Sequence, residues 1–459
     1  MQRTSAGVAA RLDRLPPTRY VRNLILRISL GGWFELYDLF MTGYIALGLI
    51  GEGHFRATTA RFFDLNGFAS FIAAGFAGMF VGTLVFSWIS DRFGRRATFT
   101  YSLLFYSCAN AIMAFAHGAA AIDAWRFVAG LGIGVQLVTI DTYISELAPR
   151  TWRGRAIALS QFVGYLAIPI VALFALLLVP HVFAGLAGWR YVVLIGSLGV
   201  LAIWPLRARL PESPRWLEIR GRAGDADAAT SAIENAVAAE TGKPLPPIGK
   251  HRVETGAGSW SDLWRPPYRE RTIVLIVFNF AQTIMFYGFA SWVPVLLGHE
   301  GVTLFKTLLY TLLIAIVNPV GPLVAMWCAD RWQRKWQIVW LALATAVFGL
   351  LFAYVRVPAL IVLFGGLITL ANAWFSCAFH AYQAELFPTA IRARAVGFVY
   401  SWSRFSAIFV GFVIASLLGR YGTPGVFAFI AAAAVVVAIA IGGFGVATNR
   451  RALEELSPS

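Results

Sequence analysis

The sequence predicts an all-α membrane protein: twelve transmembrane helices in two six-helix halves, with both termini cytoplasmic. Three observations carry this. The composition is apolar, the basic residues fall to one side, and two loop motifs recur at a single offset. Hydrophobic residues make up 58% of the 459-residue chain and charged residues 13%, against about 45–50% and about 25% in soluble globular chains. A chain with so few charges cannot face water over most of its surface.

Twelve apolar stretches lie near residues 24–50, 66–90, 97–116, 121–145, 155–179, 189–209, 272–298, 303–328, 336–354, 358–383, 394–418 and 424–446. A spanning helix needs roughly 20 apolar residues to cross about 30 Å of hydrocarbon. Lipid leaves the backbone only helices or closed barrels. The run 428–447 has none of the alternation a barrel strand requires.

Basic residues set the orientation. The net charge is +15, which in a soluble chain would suggest nucleic acid. With the N-terminus inside, 29 of the 38 Lys and Arg fall in inside loops and 6 outside, leaving Arg27, Arg126 and Arg404 within spans. The excess is therefore topological, and no nucleic-acid partner is expected. Arg3, Arg11, Arg14, Arg19 and Arg22 precede a first apolar run too long for a signal-peptide core. Cys108, Cys328 and Cys377 lie far apart in predicted spans, with neither metal-ligand nor disulfide spacing. No nucleophile elbow, metal cluster or phosphate loop is present in the sequence, so neither an enzyme nor a cofactor is expected.

The halves are legible as a repeat. Asp91-Arg92-Phe93-Gly94-Arg95-Arg96 follows the second stretch, and Asp330-Arg331-Trp332-Gln333-Arg334-Lys335 follows the eighth. Glu146-Leu-Ala-Pro149 with Arg153 follows the fourth, and Glu385-Leu-Phe-Pro388 with Arg392 follows the tenth. Both motifs repeat 239 residues on. Parallel repeats of six spans mark transporter folds with a solute site near the midplane, between the halves. The expected organisation is a half over 1–209, a polar cytoplasmic linker over 210–271 with one or two short helices, and a second half over 272–459. The linker is read as a plain connection or a latch.

These motifs resemble those of the major facilitator superfamily along essentially the whole chain. Pro211-Glu212-Ser213-Pro214-Arg215-Trp216-Leu217 looks like the sugar-porter sequence after the sixth span. Asp91-Arg92-x-Gly94-Arg95-Arg96 and Arg126-x-x-x-Gly130-x-Gly132-x-Gly134 also fit. Other segments resemble organic-acid symporters: Glu35-Leu36-Tyr37-Asp38 their paired-acid first helix, Arg404 their eleventh-helix arginine, and Tyr287-Gly288 with Trp292-Val293-Pro294 the seventh helix of niacin-type transporters. The sequence departs from the superfamily pattern at Ser87 and Gln333, where glycine is usual.

Ionisable groups inside spans are functional candidates. At about 1.5 Å rise per residue, Asp38 lies roughly 21 Å from the cytoplasmic edge and Arg126 roughly 8 Å from the outer edge. In a core of about 30 Å the two depths nearly coincide, so the residues can meet, as the corresponding pair does in sugar porters. The pair is a proton-coupling candidate or a static tie between helices. Glu35, one turn earlier, is a second proton site, a substrate ligand or a packing group. Arg404, near the midplane, is the candidate for gripping an anionic substrate, or else it partners an acid of the protein. Gln161, Gln282, Tyr287, Asn372 and Trp402 are expected along the cavity. Asp91, Arg95, Arg96, Glu146, Arg153, Asp330, Arg334, Glu385 and Arg392 are expected to form a cytoplasmic gate that closes and breaks as the halves rock, with Asp141 nearby and His380 in packing or gating. The function expected is uptake of a small organic solute, a carboxylate such as an aromatic acid, coupled to H⁺. A sugar porter and a drug/H⁺ antiporter are the alternatives. The partners expected are that solute, H⁺ and the lipid bilayer, with a single chain sufficing.

Overall fold

The computed structural model describes residues 7–448 apart from 59–60, 150–151, 202–204, 206–209, 249–259, 329–330 and 388. Helix dominates, and among the described residues each of the twelve apolar stretches is largely helical, some as two helices and the last two within one run. Seven helices among the described residues are long and apolar enough to cross a membrane. Arg19–Tyr44 and Arg95–Met113 are not among them, and both carry charged and hydroxyl side chains along their length. Thr389–Phe444 runs for 56 residues and is broken at Gly422. At 1.5 Å per residue such a run would reach about 84 Å unbroken, far beyond one bilayer. The break at Gly422 divides it into two helical segments.

Proline explains three further breaks. Tyr165, Ala290 and Ala315 each end a helix, and each stands four residues before a proline: Pro169, Pro294 and Pro319. Proline offers no N–H to that carbonyl, and its ring clashes with it. The expectation of an all-helical chain meets one small exception. Val182–Phe183 pairs with Leu186–Ala187, because Ala184 and Gly185 both take positive φ, as the tightest hairpin turn requires. Buried hydroxyls satisfy themselves locally: Ser29, Thr139 and Thr345 each donate to the carbonyl four residues earlier.

Close packing within each half puts Phe68–Phe93 along Ala119–Leu147 and Tyr268–Ala290 along Thr389–Phe444. The glycines after Arg126 serve this contact, since a Cβ on Gly130 would lie 2.4 Å from the Gly75 carbonyl oxygen. Between the halves, Phe68–Phe93 meets Thr389–Phe444 and Ala167–Leu178 meets Leu304–Ala315. The tightest seam is at the end opposite the loop motifs. A Cβ on Gly43 would stand 3.0 Å from the Ser291 carbonyl oxygen and 3.1 Å from that of Ala290, the carbonyl that Pro294 leaves without a helical partner.

At the motif end the sequence Pro211–Leu217 acts as a set of caps. Glu212 accepts from the backbone N–H of Arg95 at 2.8 Å and Arg96 at 3.2 Å, the first turn of Arg95–Met113. Gly94 has φ +99°, and a Cβ there would meet Glu212 Oε2 at 2.4 Å. In the second copy Gln333 has φ −59°, so the glycine is dispensable there. Ser213 caps Pro214–Ile219 by accepting from the Trp216 N–H. Trp216 Nε1 and Arg220 Nη2 each donate to the Asp91 carbonyl at 2.6 Å, and the Tyr143 hydroxyl donates to the Pro211 carbonyl.

A second layer covers this end. Val8–Asp13 docks on Pro214–Ile219 and Ala223–Thr241, with Val8, Leu12, Leu15, Trp216, Leu217, Ile233 and Val237 in one apolar cluster. Val8 N–H donates to Glu218. Arg11 and Arg14 both bind Glu234 at 2.6 Å. Burial raises the Glu234 carboxyl, but these two hydrogen-bonded arginines bring it below the ordinary glutamate range. Glu240 accepts from the N–H of Arg19 and Tyr20, capping the first long helix.

Glu212→Ala is expected to lower the thermal unfolding midpoint of the detergent-purified protein, corresponding to loss of about 1 kcal/mol of capping. Glu212→Gln, which keeps an acceptor, is expected to recover part of it. An unchanged midpoint in the alanine variant would show that water replaces the cap.

Candidate functional site

Two charged sites lie inside the bundle, one helical turn apart on Arg19–Tyr44. The deeper is the Asp38–Arg126 pair, 2% and 1% exposed. Arg126 Nη1 reaches both Asp38 oxygens, at 2.8 and 3.0 Å. Nη2 donates to Thr42 Oγ1 at 2.6 Å and to the Asp38 carbonyl at 3.3 Å. Asn110 Nδ2 donates to Asp38 Oδ1 at 2.6 Å, and the guanidinium sits 5.4 Å from the Phe71 ring centroid. The two depths computed from helix rise do coincide. The pair does not line the central cavity.

That cavity, about 100 Å³, lies between the halves. The first half contributes Glu35, Asp141, Ser160, Gln161 and Tyr165, and the second contributes Gln282, Tyr287, His380, Tyr400 and Arg404. Asp141 is exposed, so solvent enters, while Glu35 and Arg404 are 6% and 5% exposed. Arg404 Nη1 donates to Ser403 Oγ at 2.7 Å, and its guanidinium carbon stands 3.9 Å from the Tyr400 ring centroid. Among the described residues no ion pair joins Arg404 to Glu35 or Asp141. His380 stacks on Phe379 and lies 3.4 Å from the Tyr400 hydroxyl.

Of the side chains expected along the cavity, Gln161, Gln282, Tyr287, Glu35 and Arg404 line it. Asn372 instead lines a smaller cavity of about 30 Å³ with Thr311, Asn318 and Thr369. Trp402 lines neither: it packs edge-on against Phe398 and Phe405, because it stands two residues from Arg404, nearly opposite on the helix. Asp141 was expected near the gate and is a cavity residue. Tyr400 and His380 were missed as cavity residues. Tyr400 is four residues from Arg404, the same-face spacing that marks it.

The expected gate takes another form. Arg95 joins Asp91 at 2.8 Å and Glu146 at 2.9 Å, all within the first half. Arg334 joins Glu385 at 2.7 Å within the second. These pairs tie neighbouring helices of one half together. Arg153 pairs with Asp13 of the N-terminal helix at 3.2 Å, and the Arg96 N–H is held by Glu212. Asp330 and the Arg392 side chain lie outside the described residues.

The profile of the family described as "Sugar (and other) transporter" matches residues 24–459. The chain belongs to this family. It is thus a major facilitator protein, a multi-pass transporter of the cell membrane and not an enzyme. Within the family's reach, YyaJ of Bacillus subtilis (strain 168), named provisionally as a metabolite transport protein, is 32% identical over 450 residues, 97% of each chain. The niacin transporter NiaP of Acinetobacter baylyi is 27% identical over 457 residues, covering 98% of this chain and 99% of that one. The xylose transporter XylE from E. coli, in a partially occluded inward-open conformation, is similar with a TM-score of 0.75 at 19% identity, covering 94% of this chain and 99% of that chain. This likeness establishes the fold.

Arg126→Met strands a buried carboxylate and is expected to cost about 3–5 kcal/mol. Combining it with Asp38→Asn is expected to restore much of that loss. A double-mutant cycle on thermal unfolding measures the coupling; additive effects of the two substitutions would show that the pair does not bear on stability.

Proposed function

We propose that the protein is a proton-coupled symporter that imports a small organic carboxylate, such as an aromatic acid, by alternating access. The observation that carries this reading is Arg404. Its guanidinium is buried beside the cavity, braced on Tyr400 and Ser403, and among the described residues no acidic side chain closes on it. Guanidinium holds a carboxylate through two parallel hydrogen bonds. Aromatic walls from Tyr165, Phe286, Tyr287, Phe379 and Tyr400 suit a ring. The likeness to a niacin transporter, whose name specifies an aromatic acid, supports the same class.

Proton coupling is assigned to Asp38, with Arg126 as the group that sets its proton affinity and Glu35 as the neighbouring acid on the cavity wall. A carboxylate held by arginine favours its charged form, and separating the two favours protonation. A change in the Asp38–Arg126 contact between conformations thereby becomes a change in proton binding.

The proposed topology has twelve spans, with the loop motifs and both termini in the cytoplasm. Residues 1–209 and 272–459 are the two halves, joined by the linker 210–271. The tight Gly43 seam is then extracellular, and the cavity is loaded or emptied from inside in this conformation. A single chain in the bilayer supplies every group the mechanism uses. The Arg95–Glu146 and Arg334–Glu385 pairs act as braces that keep each half rigid while the halves rock.

In proteoliposomes, Asp38→Asn is expected to abolish accumulation driven by a proton gradient while solute exchange persists, since an amide keeps the shape and carries no proton. Undiminished uphill uptake would remove Asp38 from the coupling role and leave Glu35.

Arg404→Gln is expected to weaken binding of a carboxylate substrate by roughly 2–5 kcal/mol, and Arg404→Lys by an intermediate amount because the charge remains without the fork. Normal binding in both variants would make Arg404 structural and favour a sugar, the reading that the Pro211–Leu217 motif and the XylE-like fold support.

A further inference from the structure

The cavity is charged unevenly. Both acids that line it, Glu35 and Asp141, belong to the first half, and the cation, Arg404, belongs to the second. Asp141 has no part in the mechanism above, yet it stands exposed on the cavity wall. A plain carboxylate seated on Arg404 would bring a third negative charge into a partly dehydrated space that already holds two. Charges of one sign that share so small a space repel, less strongly where solvent reaches Asp141 than at buried Glu35. Even with a proton on Glu35 to neutralise one of the three, Asp141 remains.

From this arrangement, and resting on the carboxylate reading of Arg404, we infer that the native substrate is dipolar: a carboxylate that Arg404 binds and, across a small ring or short chain, a cationic nitrogen that Asp141 binds. With Glu35 protonated, the loaded cavity then sums to zero: Asp141 and the substrate carboxylate against Arg404 and the substrate cation. Such a solute also bridges the halves, since its two ends are held by opposite walls. A ligand that contacts both walls favours the closed arrangement over the open one, which is the differential affinity a conformational change needs.

The test is binding to the purified full-length protein, by titration calorimetry, of three probes of matched shape: 4-(aminomethyl)benzoate with both charges, 4-methylbenzoate with the acid alone, and 4-methylbenzylamine with the amine alone. The dipolar probe is expected to bind best, about tenfold tighter than the acid, the factor that 1.4 kcal/mol of ion pairing supplies. Asp141→Asn is expected to erase that advantage and leave binding of 4-methylbenzoate equal or tighter. Asp141→Glu, which keeps the charge, is expected to retain it and serves as the check that the site is intact. If 4-methylbenzoate binds as well as the dipolar probe, the inference is overturned while the carboxylate reading stands. If the amine binds best, or if none of the three binds, both are overturned. If Asp141→Asn weakens the acid and the dipolar probe alike, Asp141 shapes the cavity without reading charge, and the inference again fails.

Discussion

The Asp38 carboxylate, buried against the Arg126 guanidinium, constrains everything packed around it. Two charges removed from water cost several kcal/mol each, and their attraction offsets this only when the remaining hydrogen-bonding capacity is also met. Thr42, Asn110 and the Phe71 ring supply most of the shell, while Arg126 Nε and Asn110 Oδ1 are buried with no hydrogen-bond partner among the described residues. The shell residues come from Arg19–Tyr44, Phe68–Phe93 and Arg95–Met113, while Arg126 comes from Ala119–Leu147. Four helices are thus held to one geometry, and a sliding motion among them would expose an unpaired charge. Parting the pair without a cost of this size therefore requires that Asp38 be protonated.

The loop motifs also hold helices of one half together. Arg95 binds acids at the ends of two helices of its own half, and Arg334 does the same in the other. At the boundary the contacts are of another kind. Gly43 lies against backbone at Ala290 and Ser291, and aromatic rings meet at Phe40–Phe286 and Phe68–Trp292. Apolar and backbone surfaces of this sort separate without stranding a charge. The ionic ties within each half and the apolar contacts at this seam suit two bodies rocking about a central site.

Much of this was legible in the sequence, and the failures have identifiable causes. Helix rise alone brought Asp38 and Arg126 to one level, because both lie in single uninterrupted helices. Level does not give rotation. Trp402 was placed on the cavity although it stands on the side of its helix opposite Arg404, whereas Tyr400 fits the four-residue spacing from Arg404. A helix apolar all round offers no moment from which to read its orientation. Asp141 was placed too near the loop motif because Ala119–Leu147 has 29 residues, and a helix that long overruns the bilayer. The proline breaks were available in advance, but a sequence does not say whether a proline kinks a span or divides it. Gln333 looked like a decayed motif. Its ordinary φ shows that the second copy does not require a glycine at this position, whereas Gly94 takes φ +99° against Glu212.

The N-terminal helix bears on how the chain is made. Val8 bonds to Glu218, 210 residues later. At about 5–20 residues per second, synthesis of that interval takes roughly 10 to 40 s. Throughout it the apolar face of Val8–Asp13 has no linker to cover it, and six apolar stretches must leave the ribosome before its partner exists. Docking therefore comes only once the first half has been fully translated, so the buried Arg11–Glu234 contact closes that half as its last step of assembly.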